Sequence, residues 1–82
     1  MLYQEIVSLY KWCQKQGIPC DIEQLFDGYK ILFADGADVV QHSYSYRARE
    51  GYVEPAGMEK SYEPVSIKEI KKIISKKYLT NK

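Results

Sequence analysis

Apolar and polar positions follow two different periods along the chain, and the change of period marks the elements. Between residues 2 and 16, Leu2, Tyr3, Ile6, Val7, Leu9, Tyr10 and Cys13 fall within one helical arc of about 160°. Gln4, Ser8, Lys11 and Lys15 lie opposite. That stripe predicts an amphipathic helix over 2–16. Gly17 is a stop signal and Pro19 forbids continuation. Trp12 falls outside the stripe, about 60° from Leu9.

The period then shortens. Asp27-Gly28 and Asp35-Gly36 are two Asp-Gly pairs, the strongest short signal for two-residue hairpin turns. They predict strands over 20–26, 29–34 and 37–46, a three-stranded antiparallel meander. Two-residue turns set Phe26 opposite Tyr29, Ile22 opposite Phe33 and Ile31 opposite Val40. One face then carries Ile22, Phe26, Tyr29, Ile31, Phe33, Val40, His42 and Tyr44. The other carries Asp21, Glu23, Leu25, Lys30, Leu32, Val39, Gln41 and Ser43. The first is the expected core face. Asp38 falls on it too, which points to a longer or bulged second turn.

Residues 47–65 hold Gly51, Pro55, Gly57 and Pro64 and read as a long, partly extended excursion, longer than an ordinary loop. Helical periodicity returns at Ser66. Ser66-Ile67-Lys68-Glu69 fits a capping box, with Ser66 capping the third amide and Glu69 reaching back. Ile67, Ile70, Ile73, Ile74 and Tyr78 share one face, and Lys68, Lys71, Lys72 and Lys76 share the opposite one. The expected architecture is α+β, in the order α-β-β-β-α, with both helices packed on one face of the meander. No linker or repeat divides the chain, so residues 1–82 are expected to form one domain.

Composition narrows the function classes. The chain has 82 residues, 45% hydrophobic and 28% charged, with net charge +1. That is globular rather than disordered, and its bulk charge selects no partner. The longest apolar run in its middle, Ile31 to Ala34, is far short of the roughly 18 residues of a membrane span. No basic stretch followed by an apolar run opens the sequence, which points to the cytoplasm and to reduced Cys13 and Cys20. A domain of this size spends most of its apolar residues on its core, leaving few to enclose a catalytic pocket.

Three features carry candidate chemistry. Residues 66–82 bear a net +5 and residues 1–65 a net −4. A face of Lys68, Lys71, Lys72 and Lys76 could dock on phosphates, although a solvated helix face has the same pattern. Tyr46, Arg47, Arg49 and Tyr52 form a Tyr/Arg stretch of the kind enriched at binding hot spots. His42 is the single histidine, and with Asp35 and Asp38 it matches no zinc-ligand spacing; a histidine at the core edge, bonded to a tyrosine hydroxyl or to backbone, is the simpler reading. Cys13 lies on the apolar stripe and Cys20 has no base nearby in sequence. No nucleophile–base arrangement and no phosphate-cradling Gly-rich loop is present, so neither catalysis, cofactor nor metal is expected.

The helix–strand–strand–strand–helix order resembles the double-stranded RNA-binding domain over most of residues 2–79. That resemblance implies an RNA partner and a Lys cluster at the start of the second helix. Here that segment offers Lys68 beside Glu69, and the first turn reads Phe26-Asp27-Gly28-Tyr29. In size and in its bias to Lys, Ile and Tyr, with ten Lys against two Arg, the chain also resembles small phage and prophage proteins of low-GC Gram-positive bacteria. That resemblance implies a module that binds and modulates a protein. The sequence thus favours a non-enzymatic macromolecule-binding module with a protein partner. One alternative is a nucleic-acid binder using the Lys-rich helix, and a second is a homodimer joined through a strand edge.

Overall fold

A computed structural model describes residues 3–79. Helix α1 spans Gln4–Lys15 and stops where expected: Gly17 turns left-handed at φ 77°, and Ile18 N–H reaches back to the Cys13 carbonyl at 3.0 Å. Strands β1 (Cys20–Leu25), β2 (Gly28–Phe33), β3 (Asp38–Gln41) and β4 (Glu54–Ala56) follow, then helix α2 (Ile67–Tyr78). The sheet is antiparallel, with its strands side by side in chain order. The α+β class and the antiparallel meander are as expected, but the sheet has four strands rather than three.

The core lies between the sheet and the helices. Ile6, Leu9 and Cys13 of α1 and Ile70, Ile73 and Ile74 of α2 are buried with Ile31, Phe33 and Val39 of the sheet. Phe33 stacks on Tyr78 with ring centroids 4.8 Å apart. Burying one such side chain is worth about 1.5–3 kcal/mol, so these residues carry most of the stability of a small domain. Ser66 caps α2, its hydroxyl accepting from Glu69 N–H at 3.1 Å. Glu69 does not complete the box; its carboxylate faces Lys60 at 3.5 Å instead.

The register departs from expectation at both turns. The first turn centres on Phe26-Asp27, not on Asp27-Gly28, because Leu25 pairs with Gly28 and Ile22 with Ile31. This slides the register by two residues, so β1 and β2 keep their expected faces. Gly28 is needed for closeness rather than for a left-handed turn: a Cβ there would run into the Gln41 carbonyl and the His42 Cα. Phe26 takes the left-handed position instead, at φ 56°.

The second turn is one residue longer. Phe33 N–H bonds to the Ala37 carbonyl at 2.9 Å and Gly36 N–H to the Phe33 carbonyl at 3.0 Å, with Gly36 left-handed at φ 94°. A three-residue turn of this kind shifts β3 by one position and exchanges its faces. Val39 and Gln41 point into the core, and Val40 points out with Asp38. The expected inward placement of Val40 and Tyr44 is therefore corrected, as is that of Phe26; Tyr44 and Phe26 are exposed.

The excursion over 47–65 is compact. A 3₁₀ turn over Ala48–Glu50 leads into β4, whose buried Pro55 pairs with Val39. Proline fits because this side of β4 needs no donor for a further strand. Val53 and Val65 then form a bridge that brings the chain back to α2.

Candidate functional site

The loop after β3 is held by buried polar contacts. Gln41 is fully buried, and its carbonyl oxygen accepts from Ile6 N–H at 3.0 Å. It thereby caps the start of α1, where Tyr3 provides no side-chain cap. Its amide nitrogen donates to Glu5 and to the Ala48 carbonyl, each at 3.0 Å. Next, the Ser45 hydroxyl accepts from His42 N–H at 3.0 Å and donates to the His42 carbonyl at 2.8 Å. His42 Nδ1 accepts from Tyr44 N–H at 3.1 Å, so the neutral ring carries its proton on Nε2. The lone histidine is bonded to backbone, as its sequence position suggested.

Asp27 ties the first turn to the same loop. One carboxylate oxygen accepts from Ser43 N–H at 2.9 Å and the other from the Tyr3 hydroxyl at 3.4 Å. The Ser43 N–H is the main reason its carboxyl lies below the usual range. Together these bonds present an aromatic surface. Phe26 is 63% exposed and Tyr44 77%, and the two rings meet edge-on at 5.0 Å. His42 packs edge-on against Phe26, also at 5.0 Å. Tyr46, 69% exposed, stands two residues further along the loop.

Arg47 continues this end of the molecule. Its guanidinium sits 4.1 Å from the Tyr52 ring centroid and pairs with Glu50 at 2.8 Å. Arg47 is itself left-handed at φ 57°. Of the Tyr/Arg stretch, Arg47 and Tyr52 are in contact, while Tyr46 and Arg49 are exposed beside them. Sequence reasoning missed Phe26 and Tyr44 because the register assumed for each turn placed them inward.

The lysine face lies on the opposite layer. Lys68, Lys72 and Lys76 are exposed on α2, and Lys71 is half-buried with its ammonium 5.5 Å from the Trp12 ring centroid. Lys11 and Lys15 flank the same ring on α1, in a shallow groove with Ser8. Lys76 pairs with Glu59 at 3.2 Å and Lys77 with Asp35 at 3.4 Å. The uncovered face of the sheet is acidic by contrast. It alternates with the core row Ile22–Ile31–Val39–Pro55, so it carries Asp21, Glu23, Asp38 and Glu54 against Lys30. Partial burial beside Leu32 and Ala56 pushes the Asp38 carboxyl up.

Reactive groups are subdued. Burial pushes the Cys13 thiol up to about 12, and burial also raises that of Cys20; both cysteines are free. Such thiols are poor nucleophiles. Among the described residues no three His, Cys, Asp or Glu side chains could hold a metal ion together, and no helix is long and apolar enough to cross a membrane. No family model matches the chain, and neither a curated protein nor a solved structure is significantly similar to it.

Proposed function

We propose that the chain is a non-enzymatic module that binds a protein partner through its aromatic end, formed by Phe26, Tyr44, Tyr46, Arg47 and Tyr52 with Arg49 at the margin. The observation that carries this reading is Phe26. An aromatic residue occupies a left-handed turn position that favours Asn or Gly, and it spends its ring on solvent. Strain and exposure of this kind concentrate at binding sites. The surrounding bonds of Asp27, Ser45 and His42 fix the loop in advance, which lowers the ordering cost of association. Small size and the Lys/Ile/Tyr bias support a phage or prophage modulator acting in the cytoplasm.

The test is capture from a nuclease-treated lysate of the source organism, followed by affinity measurement on the captured protein. Phe26→Asn and Tyr46→Ala are each expected to weaken binding by about 1–3 kcal/mol without unfolding the chain. Binding indifferent to both changes refutes the reading.

A second reading has its own support. Trp12 lies among Lys11, Lys15 and Lys71, an aromatic ring in a basic setting suited to nucleic acid. A mobility shift with mixed DNA and RNA at low salt separates the two. Four phosphate contacts from Lys68, Lys71, Lys72 and Lys76 would give a log–log salt slope of about −3 to −4, lost when all four become Gln.

A further inference from the structure

The two edges of the sheet differ. The outer side of β4 is occupied: Val53 and Val65 exchange backbone bonds of 2.9 and 2.8 Å, and Tyr62 N–H reaches the Pro55 carbonyl at 2.7 Å. Among the described residues, β1 has a strand on one side only. A two-residue turn closing on Leu25–Gly28 directs the backbone groups of Asp21, Glu23 and Leu25 toward β2. Those of Cys20, Ile22 and Gln24 then face outward. Gln14 Nε2 donates to the Cys20 carbonyl at 3.3 Å, as that alternation requires. The outward N–H and C=O of Ile22 and Gln24 meet no protein partner among the described residues.

The side chains of β1 define what can pair there. Asp21 and Glu23 stand on the open face, and Ile22 is half-buried at the margin of the core on the other. A second copy of the chain fits poorly. Antiparallel self-pairing that keeps both sets of helices on one side joins positions of equal parity. Centred on Ile22, it sets Asp21 against Glu23 of the second copy, twice. Centred one residue earlier or later, it sets Asp21 against Asp21, or Glu23 against Glu23. Like charges directly opposite destabilise a strand pair.

We propose that the β1 edge receives an extended segment of another protein in which basic residues alternate with apolar ones. Its Lys or Arg side chains lie against Asp21 and Glu23, and its apolar residue packs beside Ile22. The backbone of Ile22 and Gln24 supplies the ladder, as in strand addition generally. The other acids of the open face, Asp38 on β3 and Glu54 on β4, lie further into the sheet, past Lys30, so Asp21 and Glu23 are the acids that border the edge itself. This surface adjoins the aromatic end, since Phe26 follows the last residue of β1, but it uses the backbone of Ile22 and Gln24 rather than the aromatic rings, so a test read at those two amides distinguishes the two.

The probe is a blocked peptide of alternating Lys and Val, titrated into the full chain at low salt and followed by amide NMR and hydrogen exchange. A Glu–Val peptide and a Lys–Gly peptide serve as controls. The Lys–Val peptide is expected to shift and protect the Ile22 and Gln24 amides, with the controls at least about tenfold weaker. Gln24→Pro removes one outward N–H and is expected to weaken binding about tenfold or more while the melting curve stays in place. Asp21→Lys with Glu23→Lys acts through surface side chains alone and is expected to reverse the preference toward the Glu–Val peptide. Three results overturn the proposal: equal binding of Lys–Gly and Lys–Val, binding that leaves the Ile22 and Gln24 amides exchanging freely, or self-association of the unaltered chain through β1.

Discussion

Gln41→Leu keeps the volume of a buried side chain nearly constant and removes three hydrogen bonds at once. The Ile6 N–H, at the start of α1, loses its acceptor in a site without solvent, which costs about 1–3 kcal/mol. The Ala48 carbonyl keeps its bond from Gly51 N–H and loses only the one from Gln41, about 0.5–1.5 kcal/mol. Glu5 is half-buried and can turn to water, so its share is small. The expected loss is about 2–4 kcal/mol, a large part of the roughly 4–12 kcal/mol available to a domain of this size. The melting temperature should fall by about 10–25 °C. Urea unfolding followed by circular dichroism checks the figure, with the slope of the transition unchanged. Gln41→Glu restores the acceptor for Ile6 but cannot donate while ionised, and it faces Glu5; its deficit should shrink as the pH is lowered. A Leu variant within 1 kcal/mol of the parent would refute the view that Gln41 caps α1 and fastens the loop.

Ser66→Ala should cost about 1 kcal/mol by equilibrium unfolding, the usual value of a helix N-cap. Gly28→Ala should cost more, about 1–3 kcal/mol, because β3 must move away from the new Cβ; loss of Gly28–Gln41 contacts in NMR spectra would mark the shift. Alkaline titration should show the buried thiol. The folded Cys13 keeps its proton to about 12 while the unfolded chain ionises near 9, so this stabilisation is complete below pH 9 and lost as the pH rises through that window. Asp27 and Asp35, both held below the usual carboxylate range chiefly by backbone N–H groups, act in the opposite sense; their contribution is present above about pH 4 and lost as the pH falls through their folded values.

The helices were legible because their signals are long and redundant. The Ile67–Tyr78 stripe and the Ser66 cap agree with each other, and α1 has both a stripe and a stop. The sheet was legible where an error of two residues preserves the face, as for Ile22, Ile31 and Phe33. It failed where the error was one residue. Asp-Gly fits a two-residue turn and a three-residue turn equally well in sequence, yet the longer one turns Val40 outward and Gln41 inward. The single warning was Asp38, an acid on the supposed core face. β4 is three residues long and contains a proline, so no periodicity could announce it. The aromatic end was half visible: Tyr46, Arg47, Arg49 and Tyr52 lie in one stretch, whereas Phe26 and Tyr44 join them only once both turns are placed.

The near-zero net charge conceals an uneven distribution of charge, even though Lys30 sits on the acidic face and Lys76 and Lys77 pair with Glu59 and Asp35. Lys11, Lys15 and the lysines of α2 form one layer, and Asp21, Glu23, Asp38 and Glu54 lie on the opposite side of the sheet. Molecules built this way attract one another basic side to acidic side when little salt is present. At physiological ionic strength the screening length falls to about 8 Å and that attraction fades. The chain should therefore salt in, becoming more soluble as salt is first added, although its sequence pI of about 7.7 alone would suggest a bland neutral protein. It should also be retained at low salt by both cation- and anion-exchange resins, since each resin finds a face of the opposite sign.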